Sequence, residues 1–125
     1  MRLGTFTPRA KYGNRKVTLG NGEVFDSLAE ARRWGELLLL QRGGAIRHLQ
    51  RQVRFELVPA QRDPEGRAVR AVSYVADFVY DARLMHQKEQ WARVVEDVKG
   101  VRTAEYKLKA KLMLWRHGIV VREVS

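Results

Sequence analysis

Hydrophobic and polar positions change period several times along this chain, and each change predicts an element. Val17-Thr18-Leu19 and Glu23-Val24-Phe25 flank Gly20-Asn21-Gly22, whose residues tolerate positive φ, so a short hairpin is predicted there. From Ser27 to about Arg42 the pattern is helical: Ser27 can cap, Glu30 stands three residues later, and Gly43-Gly44 stop the helix. Leu37, Leu38, Leu39 and Leu40 are consecutive, and at about 100° per residue they cover most of the circumference, which predicts burial on more than one side. After Ile46 to Leu49, Val53, Phe55 and Leu57 alternate with Gln52, Arg54 and Glu56 as in a half-buried strand, which Pro59 and the polar run Gln61 to Gly66 close. A second strand is predicted from about Arg67 to Tyr80 and a third from about Trp91 to Lys99, with Asp81 to Gln90 polar enough for a loop between them. Thr103 opens a helix to about His117, Gly118 suits its C′ position, and Ile119-Val120-Val121 reads as a last strand. The αβββαβ order predicts a small α/β sandwich with a mixed sheet.

Composition narrows the setting. A chain of 125 residues, 45% hydrophobic, suffices for one compact core, so a single domain over 17–125 is expected behind a basic arm over 1–16 that carries Arg2, Arg9, Lys11, Arg15 and Lys16. Such an arm suits phosphate contacts or a plain tail. No stretch approaches the roughly 20 apolar residues of a membrane span, and the N-terminus lacks a secretory h-region, so a cytoplasmic protein is expected. Without cysteine, and with His48, His86 and His117 far apart, any metal is expected on oxygen ligands. A formal net charge of +10 makes polyanions the natural partners, nucleic acid ahead of an anionic membrane surface.

Four acids and one lysine interrupt otherwise apolar patterns. In Val94-Val95-Glu96-Asp97-Val98-Lys99-Gly100, Asp97 and Lys99 share a face about 7 Å apart while Glu96 points to the other. A carboxylate that can hold Mg²⁺, beside an ammonium that can orient water or offset developing charge, suits phosphodiester hydrolysis; the plainer reading is an ion pair at a wet strand end. Asp77 lies between Val75 and Val79 of its own parity, so an acid stands where a core residue is expected, which is costly unless it is paired or binds metal. Glu30 completes a capping box with Ser27, yet Trp34, Leu37 and Leu38 continue its stripe, so cap and ligand readings both stand. Lys107 and Lys111 share a face of the last helix, behind Thr103, as a solvated face or a phosphate track. Tyr12, Tyr106, Trp91 and Trp115 are core or stacking aromatics.

Glu30 in a first helix, Asp77 ending one strand and Asp97-Val98-Lys99 ending the next resemble the PD-(D/E)XK nuclease superfamily in residue type and element order. Within it the chain is similar to a phage-borne family marked by Lys11-Tyr12-Gly13-Asn14-Arg15-Lys16, Phe25-Asp26-Ser27 leading to Glu30-Ala31, Tyr74-Val75-Ala76-Asp77-Phe78, and Val95-Glu96-Asp97-Val98-Lys99-Gly100 followed by Thr103. The resemblance implies an αβββαβ restriction-endonuclease-like fold, Mg²⁺ or Mn²⁺ dependence and a DNA substrate. It casts Asp77 and Asp97 as metal ligands, Glu30 as a further ligand or water-holder and Lys99 as the catalytic lysine. Ala76 replaces the proline of the superfamily name, and the second acid is Asp with Glu96 before it; parity favours Asp97 as the ligand.

Small stand-alone members of this superfamily resemble archaeal-type Holliday junction resolvases. A chain this short leaves no room for a sequence-reading module, so backbone shape and charge are expected to guide binding to branched or double-stranded DNA. Lys11, Arg15, Lys16, Thr103, Lys107 and Lys111 are the expected DNA contacts. A symmetric homodimer is expected, burying the surplus of Leu37 to Leu40. The alternatives are another nuclease of this type, nicking, restriction-like or transposon end-cleaving, and a non-catalytic nucleic-acid-binding protein.

Overall fold

The computed structural model describes residues 16–125; the basic arm, including Lys11, Tyr12 and Arg15, lies outside them apart from Lys16. The protein is α/β. A small hairpin pairs β1 (Val17–Thr18) with β2 (Val24–Phe25) and leads into helix α1 (Leu28–Arg42). Strands β3 (Ile46–Val58), β6 (Val72–Leu84), β7 (Gln87–Val98) and β8 (Arg122–Val124) form a four-stranded sheet in the order β3-β6-β7-β8. The first three run antiparallel and β8 joins β7 in parallel, reached through helix α2 (Ala104–His117), so the sheet is mixed. No described helix is long and apolar enough to cross a membrane.

One helix covers each face of the sheet. Leu37 packs with Ile46, Phe78 and Tyr80 under α1, while Tyr106 and Met113 of α2 cover Phe55, Leu57, Tyr74, Ala76, Val79 and Val95. Both helices end as their sequences predict. Ser27 Oγ accepts from the Glu30 N–H and Thr103 Oγ1 from the Tyr106 N–H, and Gly118 closes α2 at φ 68°, where a side chain would strain the backbone.

Several boundaries differ from expectation for physical reasons. The segment Asp81 to Gln90 is not a loop: β6 and β7 run through it as one long hairpin turning at Met85-His86. Its polarity reflects exposure of the outer end of this hairpin, from Arg83 to His86. Part of the polar run is also a small hairpin, β4 (Gln61–Arg62) with β5 (Ala68–Val69). The last strand is Arg122–Val124 rather than Ile119 to Val121; Ile119 and Val121 instead pack against the α2-side core as the chain returns. Of the four consecutive leucines only Leu37 is buried, and Leu39 is 65% exposed, so within the chain α1 buries a single side.

A bulge explains why Ile46 to Leu49 does not alternate. The register slips by one between Arg47 and Gln50, His48 takes φ 57°, and Ile46 and Leu49, of opposite parity, both reach the α1 core. The Leu49 N–H donates to Gln41 Oε1 at 2.9 Å.

Candidate active site

The sheet forks at one end, and the fork gathers the acids. Pairing of β6 with β7 runs as far as Phe78 opposite Glu96, where β7 also takes up β8. One residue past the last pair, Asp77 Oδ2 accepts from the Val98 N–H at 2.9 Å, so a side chain satisfies the amide that the departing strand leaves.

Adjacent acids on β7 then point to opposite faces. Glu96, fully buried, accepts from Arg33 Nε at 2.8 Å and Nη2 at 2.6 Å, and also from the Tyr80 hydroxyl. Asp97 turns the other way, where Tyr74 Oη donates to its Oδ2 at 2.5 Å and Lys99 Nζ lies 3.3 Å from its Oδ1. Period 2 thus correctly separates Glu96 from the pair Asp97 and Lys99. Lys99 Nζ also sits 4.2 Å from the centroid of the Tyr106 ring, and Tyr106 Oη donates to Glu123 at 2.9 Å, so the ammonium is held from two sides.

Glu30 stands between the start of α1 and the fork. Ser27 caps the helix, but the Glu30 side chain bonds one residue earlier than a capping box requires: Oε1 accepts from the Asp26 N–H at 2.9 Å. Its other oxygen faces the fork. There Gln52 Nε2 donates to Glu30 Oε2 at 3.0 Å and reaches Asp77 Oδ1 at 3.3 Å. Glu30, Gln52, Asp77, Asp97 and Lys99 line one open cleft of about 600 Å³.

Parity alone misplaces the surroundings of Asp77. Tyr74 and Ala76 belong to the α2-side core, whereas Phe78 and Tyr80, of the same parity, belong to the α1-side core. The strand exchanges faces at Asp77, so Val75 is exposed and lines the cleft while Val79 is buried. Asp77 is therefore not a core position but the pivot between two packing faces.

Electrostatics mark this cluster as short of positive charge. Burial pushes the Asp77 carboxyl up to about 6, aided by the neighbouring Glu30 and opposed by the Val98 N–H. Burial, then the charge of Asp77, push Asp97 up to about 7 against the pull of Tyr74 and Lys99. The Tyr74 hydroxyl is raised by burial and by Asp97, which keeps it a donor. Such acids are stabilised by an added cation, and their all-oxygen donor set fits a hard divalent ion. Among the described residues no three His, Cys, Asp or Glu stand as a ready ligand set.

Against this geometry a family described as "Protein of unknown function (DUF1064)" matches residues 9–123. The chain belongs to that family. The match spans all four residues of the DUF1064 chain singled out from sequence for catalysis. No curated protein and no solved structure matches it.

The expected DNA contacts are more scattered. Lys11 and Arg15 lie outside the described residues. Lys16 pairs with Asp26 at 3.5 Å, near the start of α1. Thr103 caps α2 and lines a second hollow with Asp97, Lys99 and Lys109, while Lys107 and Lys111 are exposed along the same helix. Sequence reasoning gave no role in the cleft to Gln52 or to Tyr74. Gln52 stood among the solvent-facing positions of β3, and nothing local distinguishes it from Arg54 or Glu56.

Proposed function

We propose that this protein is a Mg²⁺- or Mn²⁺-dependent DNA endonuclease of the PD-(D/E)XK type that cuts branched DNA, in the manner of a Holliday junction resolvase, working as a homodimer. One observation carries the reading: two carboxylates with raised pKa values, Asp77 and Asp97, share an open cleft with the ammonium of Lys99 and the buried carboxylate of Glu30 at a fork in the sheet. An acidic pocket on a chain of net charge +10 suits an ion that bridges protein carboxylates and a phosphate backbone.

Asp77 and Asp97 would hold the ion, with Glu30 a further ligand or water-holder. When bound, the ion supplies Lewis-acid charge for attack of water on a phosphodiester. Asp97 is fixed by the Tyr74 hydroxyl, and Val98 fixes Asp77, so neither carboxylate has to find its rotamer when substrate arrives. Lys99, held between Asp97 and the Tyr106 ring, presents its ammonium at the mouth of the cleft, placed to orient water and to offset charge gathering on the phosphate. Exposed lysines on α2 and the net charge suit backbone-guided binding.

The deciding experiment compares a four-way junction, a flap, a duplex and single-stranded DNA, each with and without Mg²⁺. Metal-dependent cutting strongest on the junction supports the reading. Equal cutting of duplex leaves a general nuclease, and tight binding with no cutting in Mg²⁺ or Mn²⁺ leaves a nucleic-acid-binding protein.

A further inference from the structure

Gln52 is an exposed strand residue that lines the acidic cleft. It sits in the interior of β3 at φ 51°, a left-handed conformation that a non-glycine residue adopts at a steric cost. The ladder pairs Arg51 with Phe78 and Val53 with Ala76, so Gln52 lies across from Asp77. Both strands exchange faces here. Before Gln52, Leu49 packs on the α1 side and the Arg51 guanidinium lies 3.8 Å from the Phe25 ring centroid; after it, Val53, Phe55 and Leu57 pack on the α2 side. Unlike the bulge at His48, this twist leaves the register unchanged, so no slip in pairing accounts for the strained residue.

The strain has a visible result. It aims one carboxamide at two acids on different elements, and the two N–H bonds of Nε2 suffice to serve both, Glu30 at 3.0 Å and Asp77 at 3.3 Å. Without that donor two neighbouring carboxylates would repel and part. We infer that Gln52 is a positioning residue that holds Glu30 and Asp77 turned toward each other, so that both face the place of a divalent cation. The inference rests on the metal-dependent reading above and gives its cleft a fifth working residue. Gln52 acts through the two carboxylates, which is how residues behind ligands usually tune a metal site, at a cost of about 10- to 100-fold in affinity when lost.

The test reads metal binding rather than cleavage. Calorimetric titration of the metal-free full chain with Mn²⁺ is made on the wild type, Gln52→Met and Asp77→Asn. Gln52→Met should bind Mn²⁺ at least about tenfold more weakly with an unchanged circular dichroism spectrum, and Asp77→Asn should lose binding. Unchanged affinity in Gln52→Met, with binding lost in Asp77→Asn, overturns the role of Gln52 alone. A wild type that binds no Mn²⁺, or an Asp77→Asn variant that binds as well as wild type, overturns the metal reading and this inference with it. Should Gln52→Met fold poorly, the wild type suffices. In ¹⁵N spectra titrated with Mg²⁺, the Val98 backbone amide, bonded to Asp77, and the Gln52 side-chain amide should shift together. A shift at Val98 without one at Gln52 overturns the inference.

Discussion

Arg33 on α1 grips Glu96 on β7 through two hydrogen bonds on the sheet face opposite the one to which the neighbouring Asp97, a cleft residue, turns. The two acids should therefore fail differently. Glu96→Gln leaves the Arg33 guanidinium, only 19% exposed, with the exposed Glu36 as its remaining carboxylate partner and should cost about 2–3 kcal/mol, at or below the low end for a buried pair. Cleavage by that variant should stay near normal below its melting point. Asp97→Asn should abolish cleavage with no loss of stability at neutral pH. Denaturant melts and a cleavage assay read both, and the assignment is reversed if Glu96→Gln is the inactive one.

Stability of the metal-free protein should fall as pH rises from about 4 to about 7. The Asp77 and Asp97 carboxyls are raised in the fold, to about 6 and about 7, above their unfolded value near 3.9, so in this window the native state binds more protons than the unfolded chain. Deprotonation above the window removes that advantage. The full shifts would amount to several kcal/mol, and partial solvent access to the cleft reduces this to on the order of 2 kcal/mol. Thermal melts at pH 5 and pH 8 should show it, Asp77→Asn should flatten the dependence, and Mg²⁺ should raise the melting temperature at pH 8 but not at pH 5. A metal-free melting temperature higher at pH 8 than at pH 5 would contradict the placement of these charges.

Lys99 should act on rate rather than on metal. Lys99→Met should lower the cleavage rate by about 10²- to 10³-fold, the usual cost of losing one preorganised charge stabiliser, with Mn²⁺ affinity retained or improved because a neighbouring cation is gone. Tyr106→Phe keeps the ring under the ammonium and should be mild, whereas Tyr106→Leu should approach the lysine variant. Loss of Mn²⁺ binding in Lys99→Met would give the lysine a different role.

DNA affinity should fall log-linearly with salt, with a slope set by the number of phosphates contacted, about 0.9 each. Lys107→Gln with Lys111→Gln should reduce that slope by about 2 if both exposed ammonium groups meet the backbone. An unchanged slope would place the track elsewhere.

Local chemistry made much of this fold legible. Ser27, Gly43, Thr103 and Gly118 fix both helices because caps act within a few residues. Parity found Asp97 and Lys99 because β7 keeps its alternation up to the fork. It failed at Asp77, where the alternation of buried positions reverses opposite the left-handed Gln52 of β3, a long-range partner that the local pattern of β6 does not reveal. Asp81 to Gln90 was misread for the opposite reason: polarity marks exposure, and an exposed antiparallel hairpin is as polar as a loop. Gln52 itself was invisible, since its partners stand 22 and 25 residues away in sequence.

Two cuts related by twofold symmetry should require two copies of the chain. Leu38, Leu39 and Leu40 stand 37%, 65% and 42% exposed on α1, an apolar surface that the single chain leaves uncovered. A second copy packing there across a twofold axis would bury it and present two identical clefts, as resolution of a four-way junction asks. Sedimentation at micromolar concentration should find a dimer, and Leu39→Lys should dissociate it without unfolding the chain, because Leu39 makes no part of either core. The dissociated variant should still nick, since each cleft is built within one chain, but its two nicks on a cruciform plasmid should become independent events. A wild-type monomer would remove the resolvase reading while leaving the metal site untouched. A dimer indifferent to Leu39→Lys would instead move the interface to another exposed apolar surface, on α2, where Leu108 and Trp115 are 59% and 78% exposed seven residues apart on one helical face.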